Sequence, residues 1–361
     1  MTSSLLVKLT ISACLCCCAF WQARAQSRPA LGDVVELKEP CKKGPGEIPN
    51  TSCQTLKVSC PGVRPLQVQI RITEPAAGVP FRGTVVVGSG RGGSGFYAGL
   101  DNSAGIGKNR IDALEAAHGG ATLVQEVAAM GFRVVDRAWE GENGWTTSEA
   151  GFVKESCRYA TLLTWIHDHI HKQGKFVATG NSGGSAEISY ALTTWGRGDI
   201  LDVAIPSSGP PLGRLDLACV KQPSPEWASL CASIVPKGVM ECTPVCVLGT
   251  SGVCQETGPN PTPQQLLEDS VVHPGAVLNY PKTKVYFLYG AHDCGGHGPS
   301  GEPVTIGLTY ANKVTSQKVI RFVPHTPHAL FSTPEGRAAI EKAINEGTAD
   351  ASESSKPRSA K

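Results

Sequence analysis

Runs of apolar residues change their period repeatedly along this chain, and each change marks an element. "LQVQIRI" (66–72) alternates apolar and polar positions as a half-buried strand does. "GTVVVGSG" (83–90) is a β-branched run closed by glycines, which predicts a buried strand. "ATLVQEVAAMGF" (121–132) has helical spacing and is followed by the short strand pattern "RVVDRAW". In "CRYATLLTWIHDHIHK" (157–172), Leu162, Leu163, Ile166 and Ile170 fall on one helical face. "KFVATG" then reads as a strand, "SAEISYALTTW" as a helix and "LDVAIPSSG" (201–209) as a strand. Further on, "TKVYFLYG", "PVTIGLTYANKV", "KVIRFVP" and "TPEGRAAIEKAINEG" repeat strand, helix, strand, helix. Such alternation predicts an α/β protein with a mostly parallel sheet and helices on both faces. The first strands are joined without helices, so the sheet is expected to begin antiparallel.

The rhythm breaks between about 210 and 280, where Pro, Gly and Cys accumulate. A structureless loop of that length is improbable in a compact domain. The segment is therefore expected to be a cysteine-rich cap insertion with one or two short helices, such as "TPQQLLEDSVV". Residues 1–25 have the form of a signal peptide: Lys8, the apolar "LTISACLCCCAFW" and a small-x-small site at Ala23-Arg24-Ala25. Residues 26–65 form a cysteine-containing N-terminal segment, loop-rich over 26–60, 66–347 the main domain, and 348–361 a polar tail expected to be disordered. No later segment holds about 18 uninterrupted apolar residues, so no transmembrane helix is expected.

Composition narrows the picture. Apolar residues make up 41% and charged residues 18%, the balance of a globular protein. Losing Lys8 and Arg24 with the leader brings the 33 basic residues level with the 31 acidic ones. No basic field points to nucleic acid. Four of the 14 cysteines lie in the leader. Those left are Cys41, Cys53, Cys60, Cys157, Cys219, Cys231, Cys242, Cys246, Cys254 and Cys294, an even set that in an exported chain predicts disulfides. Spacing alone does not give their pairing. Cys242 and Cys246 have a zinc-like spacing, but neither a second pair nor a His-x3-His completes a site. The expected location is secreted or periplasmic.

Chemistry concentrates where "KFVAT" hands over to a helix. Gly180-Asn181-Ser182-Gly183-Gly184 puts a serine in a tight strand-to-helix turn, where small neighbours are needed and the next N–H opens a helix. A serine hydroxyl needs a base within hydrogen-bond reach, a group to orient that base, and donors for an oxyanion. An acid after a later strand and a histidine after the last one would supply the first two. "VYFLYGAHD" offers Asp293, with Asp202 and Asp136 as rivals, and "IRFVPHTPHALFSTPEG" offers His325 and His328.

With these motifs, over about 80–347, the chain resembles the α/β-hydrolase superfamily. The resemblance rests on "GNSGG", "YGAHD", "PHALFSTPEG" and "ATLVQEVAAMGFRVVDRAW". It implies Ser182 as nucleophile, Asp293 as orienting acid and His328 as base. It implies an oxyanion hole from the N–H of Gly183 and a donor at Ser89 or Gly90, although Gly88-Ser89-Gly90 departs from the usual His-Gly of this loop. Arg91 and Trp139 are further candidates for contact with substrate. The implied activity is a secreted serine hydrolase acting on carboxylic esters of small or medium size, with a polymeric substrate still open. No cofactor or metal is required. A peptidase on the same fold and a non-catalytic binding protein are the alternatives. Glu187 is the acid nearest the nucleophile that a peptidase would use for a substrate amine.

Two motifs invite other readings. Gly88-x-Gly90-x-x-Gly93 matches a dinucleotide-binding pattern after a strand, but about 25 irregular residues follow where a helix should start. His167, Asp168, His169 and His171 suggest a metal cluster, yet only His167 and His171 share a helical face.

Overall fold

The computed structural model describes residues 28–39, 41, 48–90, 92–97, 121–141, 143–243, 245–247, 254, 260–294 and 304–349. The expected leader (1–25), Arg91 and the tail beyond 349 lie outside the described residues.

A central run of strands buried on both faces organises the chain. β4 (Gly83–Gly88), β6 (Lys175–Asn181) and β7 (Val203–Ser207) are buried almost throughout. Their apolar runs match strands covered on both sides. β5 (Phe132–Trp139) lies on the other side of β4 and β3 (Val63–Thr73) beyond it. β2 (Thr51–Cys60) and β1 (Asp33–Leu37) complete that edge, and β8 (Lys284–Gly290) and β9 (Lys318–Val323) complete the other. The strand order is β1-β2-β3-β5-β4-β6-β7-β8-β9. The pairs β1/β2, β2/β3 and β3/β5 are antiparallel, and every pair from β5 to β9 is parallel.

The sheet therefore reaches further toward the N-terminus than its sequence suggests. The described part of residues 26–65 holds β1, β2 and the start of β3. In β2, Leu56, Val58 and Cys60 alternate inward and Lys57 outward. The period was present but carried partly by Thr and Cys.

Successive strand residues feed two cores. Val86, Ala178, Ala204 and Phe287 face the helices Cys157–His169, Gly183–Thr193 and Val304–Lys313. Val85, Val177, Val203, Ile205 and Leu288 face the helix at 121–129 and the helix Pro334–Thr348. The parallel strands all end at one edge of the sheet, which is where loops can gather side chains from distant positions.

The insertion follows β7 and carries the helices Leu215–Ala218, Pro225–Ile234 and Pro263–Glu268. It is fastened back onto the main domain. Trp227 and Cys231 pack with Ile306, and the Thr305 hydroxyl donates to the Val245 carbonyl at 2.9 Å. Asp269 accepts the N–H groups of Phe152 and Val153 at 2.9 and 2.8 Å. Val277 N–H donates to the Thr193 carbonyl at 2.8 Å.

Five disulfides pair the ten cysteines as Cys41–Cys53, Cys60–Cys157, Cys219–Cys254, Cys231–Cys246 and Cys242–Cys294. Cys242 and Cys246 thus belong to different bridges, which ends the zinc reading of their spacing. Cys60–Cys157 joins β2 to the first turn of the Cys157–His169 helix across 97 positions. A bridge that closes so long a loop restricts the unfolded chain strongly. Replacing both cysteines by serine is expected to cost about 2–5 kcal/mol, read as a lower urea midpoint with the other four bridges verified intact by peptide mapping.

Candidate active site

The turn at the end of β6 is tightly packed. Ser182 has φ 55° and ψ −116°, a left-handed backbone that a non-glycine residue adopts only where its surroundings enforce it. Its N–H donates to the Ser207 carbonyl at 2.9 Å, an extension of the β6/β7 pairing. Its carbonyl accepts from Ser185 N–H at 2.9 Å and Ala186 N–H at 3.1 Å as the helix begins.

The flanking glycines have steric reasons. A Cβ on Gly180 would lie 2.6 Å from the backbone of Gly184. One on Gly184 would lie 2.5 Å from the Gly88 carbonyl oxygen and 2.8 Å from that of Ser89. One on Gly90 would sit 3.4 Å from Ser182 Cβ and 3.8 Å from its Oγ. The loop after β4 is thus pressed against the serine turn, with space for backbone alone at Gly184 and ordinary van der Waals contact at Gly90.

The acid and the histidine meet on the next loops along the same edge. His328 Nδ1 lies 2.9 Å from Asp293 Oδ2, with Asp293 buried and His328 about a third exposed. Backbone contacts seat the two loops on each other: His292 N–H donates to the Thr326 carbonyl at 3.0 Å, and Ala291 N–H to that of Val323 at 2.8 Å. A Cβ on Gly290 would lie 2.2 Å from the Thr326 carbonyl oxygen and 2.4 Å from that of Pro327. The Cys242–Cys294 bridge ties the residue after Asp293 to the insertion. The histidine loop is in turn held beside the serine turn. Leu330 N–H donates to Asn181 Oδ1 at 3.3 Å, one residue before Ser182.

The rival residues are engaged elsewhere. Asp202 precedes β7 and accepts the Phe176 N–H at 2.9 Å, at the opposite edge of the sheet. Asp136 Oδ1 accepts the Tyr97 N–H at 2.8 Å. His325 is 82% exposed and lies 3.1 Å from Glu241, whose other oxygen is 3.3 Å from His292 Nδ1. These contacts hold the exposed Glu241 carboxyl below its usual range, chiefly through the N–H of His325. His167 and His171 stack on each other at 5.5 Å on the helix surface, and His171 Nδ1 contacts the Thr84 hydroxyl at 3.1 Å.

Trp139 does not face an open site. It is buried, and its indole N–H donates to Glu187 Oε1 at 2.7 Å. The indole is large enough to fill the space under the loop, and its one donor finds an internal acceptor. Glu187 is also fully buried and forms an ion pair with Arg137, itself fully buried. Burial pushes the Arg137 guanidinium down to about 10, which leaves it charged at neutral pH. Ser89 spends its hydroxyl on the Gly95 carbonyl at 2.6 Å.

Asn181, Glu241 and Arg137 are the residues of this edge that sequence reasoning passed over. Asn181 stands next to the serine, a local signal. Glu241 and Arg137 are brought in by loop packing and strand register.

The sequence matches no protein-family model and no curated protein. Solved structures do resemble it. Brefeldin A esterase, a bacterial homologue of human hormone-sensitive lipase, is 16% identical and superposes with a TM-score of 0.51 over 85% of this chain and 78% of its own. Est1E from Butyrivibrio proteoclasticus is 10% identical, with a TM-score of 0.44 over 82% of this chain and 99% of its own. Acetyl xylan esterase 1 from Thermoanaerobacterium sp. is 14% identical, with a TM-score of 0.44 over 89% of each chain. Fold and neighbours together place this chain in the α/β-hydrolase fold, as its motifs imply.

Gly184→Ala tests the turn. Overlap with two carbonyl oxygens is expected to cost roughly 1–3 kcal/mol, measured as a lowered urea midpoint. Ala at the exposed, contact-free Gly238 (φ 77°) reports the cost of a positive φ alone, about 1–2 kcal/mol.

Proposed function

We propose that this chain is a serine hydrolase that cleaves carboxylic esters through an acyl-enzyme on Ser182. The observation that carries the reading is the 2.9 Å contact of Asp293 with His328 Nδ1, on a loop fastened by Asn181 to the serine turn. Asp293 holds the imidazole with Nδ1 as donor, so the other ring nitrogen serves as the base. His328 takes the Ser182 proton as the hydroxyl attacks the ester carbonyl. The Gly183 N–H, first in its helix, and an N–H of the Ser89–Gly90 loop stabilise the oxyanion. His328 returns the proton to the leaving alcohol, and a water activated by the same base releases the acid.

Esters are preferred to peptides for a structural reason. Glu187, the acid closest to the nucleophile in sequence, is consumed by Arg137 and Trp139 and offers nothing to a substrate amine. The name of brefeldin A esterase agrees with this choice. The five disulfides support an oxidising compartment, hence secretion or the periplasm. Among the described residues no helix is long and apolar enough to cross a membrane. The substrate is a small or medium ester, and no metal or cofactor enters the steps.

A fluorophosphonate probe followed by peptide mapping is expected to label Ser182 alone. Ser182→Ala and His328→Ala should lose both labelling and hydrolysis of 4-nitrophenyl acetate, by roughly 10⁵–10⁶-fold in kcat. Asp293→Asn should lose about 10⁴-fold, and His325→Ala should stay within a few-fold of wild type. An unlabelled, folded wild type would sink the mechanism.

A further inference from the structure

A buried ion pair directly beneath the loop after β4 has no part in the steps above. Arg137 stands beside Gly88 in the parallel register of β4 and β5. Glu187 is on the helix that Ser182 opens, five residues on. Both side chains are fully buried. Burying two charges is costly and seldom the most stable way to fill a core, so the pair asks what else it does.

Its contacts point to the loop. Arg137 Nη1 donates to the Gly93 carbonyl at 3.2 Å, and Nη2 donates to the Ser89 carbonyl at 3.4 Å as well as to Glu187. A Cβ on Gly93 (φ 70°) would lie 2.0 Å from Nη1, and one on Gly88 would lie 2.6 Å from Nη2. The loop can therefore lie flat on the guanidinium only with glycine at those places. Trp139 adds its backbone N–H to the same Gly93 carbonyl at 2.8 Å and its indole N–H to Glu187. Gly93 N–H closes the turn on the Gly90 carbonyl at 3.0 Å.

Peptide planarity carries the argument to Ser182. In a trans peptide the carbonyl and the following N–H point in opposite directions. With the Ser89 carbonyl drawn down to Arg137, the Gly90 N–H is turned away from the guanidinium. Gly90 is the loop residue that abuts Ser182.

We propose that Arg137 and Glu187 are positioning residues that fix the Ser89–Gly90 peptide so that the Gly90 N–H is the second oxyanion donor. The proposal rests on the serine hydrolase reading of Ser182. Glu187 anchors the guanidinium to the helix that carries the nucleophile, so loop and nucleophile share one frame. The charge on Arg137 supplies donors to two loop carbonyls at once, which an apolar filler of equal volume cannot do.

The test uses Arg137→Met/Glu187→Gln, which removes both charges and keeps an acceptor for Trp139. Folding is checked by urea denaturation, and kcat and KM are measured on 4-nitrophenyl acetate. Affinity for phenylboronic acid, which forms a tetrahedral adduct on serine, reports the oxyanion site separately. The folded variant should lose roughly 10- to 100-fold in kcat, with KM within about twofold and boronate affinity falling in step with kcat/KM. Glu187→Gln alone serves if the double variant does not fold, with a smaller kcat loss and the same parallel fall. A folded variant with kcat and boronate affinity within about twofold of wild type overturns the positioning role and leaves the hydrolase reading intact. A wild type inert to both ester and fluorophosphonate removes the reading and the proposal together.

Discussion

Backbone-to-backbone contact at Ser182 is the constraint on which the rest of this edge depends. Three segments converge there: the end of β6, the start of its helix, and the loop after β4. Gly180 and Gly184 keep them apart by no more than a missing Cβ, and Gly90 rests in ordinary contact distance of Ser182. The same closeness forces the left-handed φ of Ser182 and sends its side chain away from the sheet. Relaxing any one of the segments would move the serine relative to its neighbours by the width of a methyl group. In chemistry that depends on contacts of about 3 Å, that displacement is large.

Topology supplies the partners. β4, β6, β7, β8 and β9 run parallel, so the loops after them open at one edge. Gly90, Ser182, Asp293 and His328 follow four of those strands. They are spread along the chain from position 90 to position 328, yet each is one short loop from a rigid strand. Asn181 then joins the serine turn to the histidine loop by one hydrogen bond. Tyr97 and Phe331, with ring centroids 4.2 Å apart, join the loop after β4 to the same segment.

The insertion takes part in this arrangement. Glu241 receives the His325 N–H at 2.8 Å and donates its own N–H to the Ala291 carbonyl at 2.8 Å, so it touches both the acid loop and the histidine loop. The next residue, Cys242, is bonded to Cys294. A segment whose composition reads as a cap is therefore also a brace for the loop that carries Asp293, the hydrogen-bond partner of His328.

Much of the architecture was legible because it is local. The period of each apolar run predicts its element, and the strands from 83 onward and the helices so predicted lie within a few residues of where the pattern puts them, whereas Phe152–Glu155, Leu215–Ala218 and Pro225–Ile234 carried no such period. The glycines around Ser182 announce a strained turn because turn chemistry depends only on adjacent residues. The order of Asp293 and His328 after later strands was enough to nominate them. β2 was missed because Cys and Thr stood at its inward and flanking positions, where apolar residues would have made the alternation plain. Disulfide pairing, the burial of Trp139 and the Arg137–Glu187 pair were beyond reach for a different reason. Each depends on which residues lie opposite one another once the sheet is ordered and the helices laid on it, and no one-dimensional period records that. The sequence by itself determined the elements that carry a clear apolar period, the serine turn and the candidates for its partners. Tertiary structure alone decided which side chains share a buried volume, since burial is a property of packed surfaces and not of neighbours along the chain.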